Sequence, residues 1–248
     1  IVEHPHSNGV WYDVGNVDGV FVNNYVEGTQ IGFFFEISKG VVAAGNVFVN
    51  NAQGVRVLNA ADARIYHNTF FNSPVMIDRN GRSTEGDLFG WHTQTAPPVE
   101  ERDGHVFEGN LLVAGEGFDE PLLRFEQPAA LCERLTKTMA ARVDGNAYVR
   151  ATPTDKPLVI WSPVRGKEKE CQVSYATLDE FRKGARVEAN GKAWMPYHGT
   201  VFRSVELRRF DLAQRLPGME ERPVAAEALK ATGWTNPKQL PGAYPAAE

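Results

Sequence analysis

The sequence predicts an all-β fold, a parallel β-solenoid with one loop insertion and an irregular C-terminal cap. Two patterns indicate it: an asparagine recurs at a spacing of 22 residues, and short strand patterns recur in a second common register. Between these strand patterns the sequence shows no apolar stripe of the kind that predicts a helix. Three strands of about five residues with their turns would fill one such repeat, so the pattern favours about five solenoid coils.

The recurring residue is the same in each repeat: Asn24, Asn46, Asn68, Asn110 and Asn146. Small or apolar residues stand three positions before and two positions after each of them, as expected for side chains that enter one core. Asparagine tolerates left-handed backbone, and its amide can bond the equivalent amide in the next repeat. We therefore expect a stacked ladder of asparagine side chains.

A second register marks four strands, at residues 9–13, 32–36, 54–58 and 74–78. Successive side chains of a strand point to opposite faces. The alternation directs an apolar set inward: Val10, Tyr12, Phe33, Phe35, Val55, Val57, Val75 and Ile77. It directs a mixed aromatic and charged set outward: Trp11, Asp13, Phe34, Glu36, Arg56, Leu58, Met76 and Asp78.

The repeats occupy residues 1–153, with an insertion at about 79–104 that contains Trp91 and His92. In a solenoid such a loop leaves one side and overhangs a face. Arg79 and Arg82 are expected to be solvent-exposed charges of this loop. Residues 154–248 are expected to form a terminal coil, a short helix over 174–183 with a capping box from Thr177 to Glu180, and an extended cap.

Composition excludes several classes of function. The net charge is −5 and 23% of the residues are charged, which argues against a basic nucleic-acid binder and a polybasic membrane module. No apolar run is long enough to span a bilayer. The sequence has no phosphate-binding glycine loop, nucleophile elbow or zinc spacing. Cys132 and Cys171 are predicted to be unpaired buried thiols, which favours a reducing interior.

Asp13 and Glu36 occupy the same outward position on neighbouring strands, and are the candidate catalytic pair. Neighbouring strands lie about 4.7–4.9 Å apart. Retaining glycosidases need carboxyl groups about 5–5.5 Å apart and inverting ones about 6.5–9.5 Å, so this arrangement favours retention. Two close carboxylates also raise the pKa of one of them, as an acid/base requires.

Further outward or overhanging residues are candidates for substrate binding. Aromatic faces suit the C–H faces of a sugar ring, while charged groups can bind its hydroxyls. The candidates are Trp11, Phe34, Arg56, Asp78, Trp91 and His92.

Trp11-Tyr12-Asp13, followed 23 residues later by Glu36-Ile37-Ser38, resembles the right-handed parallel β-helix glycosidases, and most closely glycoside hydrolase family 120, the β-xylosidases. The resemblance covers roughly residues 1–115. It implies a right-handed β-helix and a retaining mechanism with Asp13 as nucleophile and Glu36 as acid/base. Family members have many coils before this Asp, so it also implies a C-terminal part that a second polypeptide or an N-terminal half completes.

The expected function is therefore a retaining exo-glycoside hydrolase acting on β-xylosides or related plant-wall oligosaccharides. Two alternatives stay open: another β-helix glycosidase, α-fucosidase-like or inverting, that recruits Arg56 or Asp78, and a non-catalytic β-helix that binds polysaccharide. No cofactor is required, although a structural calcium ion is compatible with Asp13, Asn16 and Asp18. No nucleic-acid or membrane partner is expected. No signal is visible in this chain, and the sequence does not distinguish a cytoplasmic from a periplasmic location.

Overall fold

The computed structural model describes residues 4–82, 95–164 and 171–244, and the fold is mostly β, with 43% strand and 9% helix. Short strands separated by turns dominate the described part of the first 150 residues. They are β1 (His4–Tyr12), β2 (Val17–Val22), β3 (Tyr25–Glu27), β4 (Thr29–Glu36), β5 (Lys39–Ala44), β6 (Val47–Val49), β7 (Gln53–Leu58), β8 (Ala61–Tyr66), β9 (Thr69–Phe71), β10 (Val75–Asp78), β11 (His105–Glu108), β12 (Leu111–Ala114), β13 (Leu123–Glu126), β14 (Ala140–Asp144) and β15 (Ala147–Arg150).

The C-terminal part mixes strands with two helices. Its elements are β16 (Val159–Trp161), β17 (Val173–Tyr175), α1 (Leu178–Ala185), β18 (Lys192–Trp194), β19 (Phe202–Ser204), β20 (Arg209–Leu212), β21 (Arg222–Pro223), α2 (Ala226–Thr232) and β22 (Lys238–Gln239). In the described residues no helix is long and apolar enough to cross a membrane.

Three larger sheets are built mainly from parallel pairs of every third strand. The first sheet has the order β1-β4-β7-β10-β13-β16-β17, the second β14-β11-β8-β5-β2, and the third β18-β15-β12-β9-β6-β3. The remaining sheets are two antiparallel pairs, β19-β20 and β21-β22.

The predicted register of the first sheet is confirmed, because Val10 pairs with Phe33, Phe33 with Val55, and Val55 with Val75. The predicted inward residues from Phe33 to Ile77 are buried in one hydrophobic cluster, against which Val10 and Tyr12 pack. That cluster also takes residues from the second and third sheets, so one core serves all three.

The structure corrects the predicted fold class of a right-handed parallel β-helix. The strands form several separate, flat sheets, and in the described parts of the chain these do not close into one solenoid. A 22-residue period specifies which strands pair between repeats, but the turns determine how the sheets are arranged. Left-handed residues at such turns, including Asn23, Asn50 and Asn72, end each strand ladder before the next sheet begins.

The asparagine ladder predicted from the repeat is confirmed. Each amide nitrogen from Asn24 to Asn110 donates to the amide oxygen of the next asparagine, at 2.9–3.0 Å. The same oxygens accept the backbone N–H groups of the preceding asparagines, so each amide satisfies the turn of two repeats. Asn146 ends the row by donating to Glu188 Oε1 at 2.7 Å.

Glu188 is a fully buried carboxyl that also accepts the Tyr148 hydroxyl at 2.7 Å. Burial raises the pKa of Glu188 to about 7, although the hydrogen bonds from Tyr148 and Asn146 lower it. The folded protein therefore holds this proton more tightly than the unfolded chain does. The stability that protonation contributes is complete below the ordinary glutamate pKa and is lost as the pH rises through about 7.

We expect the free energy of unfolding to fall between pH 5 and pH 8 by at most about 3 kcal/mol through this group. Glu188→Gln cannot ionise and should show a smaller fall, measured by urea unfolding at both pH values. Glu221→Gln, at an exposed position, is the matched control and should follow the wild type. An equal pH dependence in wild type and Glu188→Gln would contradict the assignment.

The C-terminal part packs on the outer faces of the second and third sheets. Phe202, Phe210 and Leu240 lie against Val47 and Leu111 of the third sheet. Ala228 of α2 and its neighbour Val224 belong to a cluster with second-sheet residues. These contacts leave the polar and aromatic outer face of the first sheet as a separate surface.

The short helix predicted over 174–183 begins later, at Leu178, because Val173–Tyr175 pairs as strand β17. Its capping box is confirmed: Thr177 Oγ1 accepts the Glu180 N–H, and the Glu180 carboxylate accepts the Thr177 N–H. The extended cap expected after this helix instead contains α2, an alanine-rich helix that ends at left-handed Gly233.

The prediction of two unpaired cysteines is wrong, because Cys132 and Cys171 form a disulfide. The two are 39 residues apart in sequence, with a Cα–Cα distance of 5.7 Å. Sequence spacing could not show this, since the partners meet only when the loops after β13 and before β17 converge. The argument for a reducing interior is thereby removed, because disulfides are typical of oxidising compartments.

Candidate functional site

The outer face of the first sheet carries two adjacent columns of side chains. The aromatic and cationic column is Trp11, Phe34, Arg56, Met76 and Arg124, whose members pair in register from strand to strand. The carboxylate column lies two residues further along each strand and contains Glu36, Leu58, Asp78 and Glu126. Asp13 immediately follows β1 and continues this column beyond Glu36.

The turn after β1 is fastened to the turn after β4, which fixes Asp13 relative to Glu36. The Gly15 N–H donates to the Ile37 carbonyl at 3.0 Å, and the Asn16 N–H donates to Ser38 Oγ at 3.1 Å. The Ser38 hydroxyl in turn donates to the Glu36 carbonyl at 2.7 Å. Asp13 itself is exposed, with Oδ1 accepting the Val14 N–H at 2.9 Å.

The residue directly after Glu36 has an unusual backbone. Ile37 is fully buried with φ of 48°, in a left-handed region that β-branched residues rarely adopt. Its carbonyl and N–H are both held, by Gly15 and by the Leu58 carbonyl, while its side chain packs with Ala96 and Val14. Such strain persists only where surrounding contacts enforce it, and it often accompanies functional sites.

Glu36 is largely buried, with 8% of its surface exposed. This burial raises the pKa of Glu36 above the ordinary value, and the Asp13 carboxylate raises it further. Arg82, a hydrogen bond from Trp11 and the more distant Arg56 act in the opposite direction. Glu36 therefore keeps its proton to a higher pH than a solvated glutamate.

Trp11 and Phe34 form a stacked pair, with ring centroids 5.4 Å apart and planes 13° apart. Trp11 is 50% exposed, whereas Phe34 is buried in a small cluster with Ile31 and Leu58. The Arg56 guanidinium lies 5.6 Å from the Phe34 centroid. Together they form a stack in which the exposed ring of Trp11 lies beside Glu36.

Arg56 and Asp78 are bound to each other by two hydrogen bonds, of 3.2 and 2.9 Å. Burial raises the pKa of Asp78 against the stabilising effect of Arg56, and the neighbouring Glu126 raises it further. This pairing holds the Asp78 carboxylate and fixes the orientation of the Arg56 guanidinium.

Sequence reasoning missed the continuation of both columns into β13. Arg124 and Glu126 are joined by an ion pair of 2.6 Å, beside Met76 and Asp78. The signal was present, since Leu123-Arg124-Phe125-Glu126 repeats the alternation of Val75-Met76-Ile77-Asp78. It was obscured by the 44 residues between the two segments, of which the insertion at about 79–104 supplies more than half.

The expectation of solvent exposure is wrong for Arg79 and confirmed for Arg82. Arg79 is buried, with 2% exposure, and donates to Gln127 Oε1 and the Lys137 carbonyl, both at 2.8 Å. Arg82 is partly exposed, and its Nη1 lies 3.8 Å from Glu36 Oε1. Trp91 and His92, the predicted binding residues of this loop, lie outside the described residues.

Two of the three residues considered for calcium are hydrogen-bonded to each other, because the Asn16 side chain donates to the Asp13 carbonyl. The third, left-handed Asp18, lies within β2. Across residues 4–82, 95–164 and 171–244, no group of three or more His, Cys, Asp or Glu residues could hold a metal ion.

The described residues also line clefts away from the two columns. One of about 590 Å³ lies between α1 and β18 and is lined by Arg182, Asn190 and Arg222. These side chains are engaged structurally: Arg182 with the Glu188 and Gly191 carbonyls, Asn190 with Asp144, and Arg222 with the Asn190 carbonyl. We therefore assign the candidate site to the first sheet.

No family model matches the chain, and no curated protein or solved structure is significantly similar to it.

Proposed function

We propose that this protein is a retaining glycoside hydrolase that acts on β-xylosides or related plant-wall oligosaccharides. The observation that carries the proposal is the arrangement of Glu36, a largely buried carboxyl with a raised pKa, beside Asp13 and a stacked aromatic pair. The resemblance of the two carboxylate segments to family 120 β-xylosidases supports the choice of substrate.

The two carboxyl groups differ in the way that double displacement requires. Exposed Asp13 would attack the anomeric carbon while protonated Glu36 gives its proton to the leaving oxygen. The leaving group departs as an alcohol, and the sugar stays bound to Asp13 as an ester. Glu36, now ionised, would take a proton from water as the water oxygen attacks the anomeric carbon, which releases the sugar and restores both carboxyl groups.

The neighbouring groups fit the binding of a pyranose. The exposed face of Trp11 offers a stacking surface for the apolar C–H face of a sugar ring. Arg56, oriented by Asp78 and Phe34, presents donors to hydroxyl or ring oxygens. A bound sugar would also exclude water from Glu36 and so favour its protonated form.

The test is hydrolysis of an aryl β-xyloside, with the configuration of the first product followed by proton NMR. The proposal predicts turnover and initial release of the β-anomer. Initial release of the α-anomer would indicate inversion, the outcome expected for the alternative hydrolase reading. Binding of xylo-oligosaccharides without turnover would favour a non-catalytic carbohydrate-binding protein, for which the exposed Trp11–Phe34 stack would also be suited.

We propose further that a second polypeptide segment adds strands beside the site. β1, β2 and β3 are the edge strands of the three large sheets and lie on the same side of the repeat. Exposed Trp11, Val17 and Val20 lie on or beside these edge strands. Strand addition to such edges is a common mode of peptide recognition.

A further inference from the structure

Arg102 is a fully buried arginine that binds backbone carbonyl oxygens at both ends of the insertion and the side-chain amide oxygen of Asn59 after β7. Its Nη1 donates to Asn59 Oδ1 at 2.9 Å and to the Asn80 carbonyl at 2.7 Å. Its Nη2 donates to the Arg82 carbonyl at 2.5 Å, and its Nε to the Pro97 carbonyl at 3.4 Å. Burial of a guanidinium is costly unless its donors are used, so a firm anchor is the expected result.

The backbone of Arg82 is held on both sides by this network. Asn80 Oδ1 accepts the Arg82 N–H at 2.9 Å, while Arg102 binds the Arg82 carbonyl. Asn80 is itself fixed to Asn59, since the two share hydrogen bonds of 2.8 and 2.9 Å. Asn59 directly follows β7, so the network ties Arg82 to the first sheet.

The side chain of Arg82 then extends toward Glu36, at 3.8 Å between Nη1 and Oε1. The other groups that face Glu36 are Asp13 after β1, Arg56 on β7 and the hydrogen-bonding Trp11. Of the two cations, Arg56 and Arg82, Arg56 is bound to Asp78 by two hydrogen bonds. Arg82 is therefore the cation whose distance from Glu36 depends on the anchored insertion.

We propose that Arg102 is a positioning residue, which holds the Arg82 guanidinium beside the Glu36 carboxyl. For its catalytic meaning the inference rests on the proposed function, because Arg82 would then tune the acid/base group. Arginine suits this role because its planar fork spans several carbonyl oxygens, whereas a lysine ammonium is a single point. The hydrogen bonds of Arg102 thus connect the ends of the insertion to the proton affinity of Glu36.

The experiment is an NMR titration of the Glu36 side-chain carboxyl in the wild type and in single and double variants. Arg82→Gln removes the cation and should raise the pKa of Glu36 by about 0.5–1 unit, since the pair is partly exposed. Arg102→Lys retains the positive charge but cannot reach all the oxygens that Arg102 binds, and it should also raise the pKa of Glu36. In the Arg82→Gln background, Arg102→Lys should add no further rise.

Arg150→Lys is the matched control, because Arg150 is also buried and donates to the Phe118, Glu120 and Pro157 carbonyls. It should leave the Glu36 titration unchanged. A folded Arg102→Lys with the wild-type Glu36 titration would overturn the inference. If that variant does not fold, Asn80→Ala, which removes the other anchor of the Arg82 backbone, must give the same rise, and an unchanged titration would overturn it equally.

The titration needs no substrate, so its outcome is separate from that of the proposed function. If the wild type hydrolyses β-xylosides, the alkaline limb of its kcat/KM profile should move to higher pH in Arg82→Gln and Arg102→Lys together. A shifted titration in a protein without hydrolase activity would retain the positioning role and reject the proposed function.

Discussion

Replacing Glu36 by alanine should lower hydrolysis of an unactivated β-xyloside by about 10²- to 10⁴-fold, the range that a general acid/base contributes. With an activated aryl xyloside, the rate of the first step should fall less in this variant, because the leaving group needs no proton. Asp13→Ala should lose activity on both substrates, because no covalent intermediate can form. Steady-state rates on the two substrates measure the difference.

Azide distinguishes the two roles further. It should rescue Glu36→Ala with formation of the β-xylosyl azide, since azide replaces the water of the second step. In Asp13→Ala it should replace the nucleophile and give the α-azide. Glu221→Ala, an exposed carboxylate variant beside β21, should keep the wild-type rate. Wild-type rates in Asp13→Ala and Glu36→Ala would reject the assignment.

Replacing Asn68 by alanine should lower the free energy of unfolding by about 3–5 kcal/mol. The fully buried side chain donates to the Ala43 carbonyl and Asn110 Oδ1, and accepts the backbone and side-chain N–H groups of Asn46. Alanine would leave these partners buried without hydrogen bonds, which is more costly than the loss of an exposed bond. Urea unfolding measures the change.

Two further variants test the same explanation. Asn236→Ala removes a side chain that accepts only the Lys238 N–H at an exposed turn, and should lower stability by less than about 1 kcal/mol. Asn68→Asp keeps the acceptor but loses both donated bonds, and should gain stability as the pH falls and its carboxyl becomes protonated. A loss below about 1 kcal/mol in Asn68→Ala would show that the ladder is energetically unimportant.

Local pairings were predictable because side-chain alternation and turn chemistry are local properties. Phe33, Phe35 and Val55 identified the inward face, while Asn46 and Asn68 identified the ladder. The aromatic pair Trp11 and Phe34 followed from the same register. These inferences need only the spacing of residues along the strand and between repeats.

The remaining features depend on distant segments or on turn geometry. Arg82, which lies near Glu36, is held by its backbone to Asn80 and to Arg102, 20 residues later in the chain. The Cys132–Cys171 disulfide depends in the same way on the convergence of two loops. The arrangement into several separate sheets depends on left-handed turns, which the repeat period does not describe.

The asparagine row also has a direction. Every side-chain amide donates toward the higher-numbered repeat, from Asn24 through Asn146 to Glu188. The five amide dipoles therefore align head to tail, as peptide dipoles do along a helix axis, and the carboxylate lies at their positive end. We expect the row to favour the ionised form of Glu188, in opposition to the effect of burial. Repeats far from Glu188 would then help to lower its pKa.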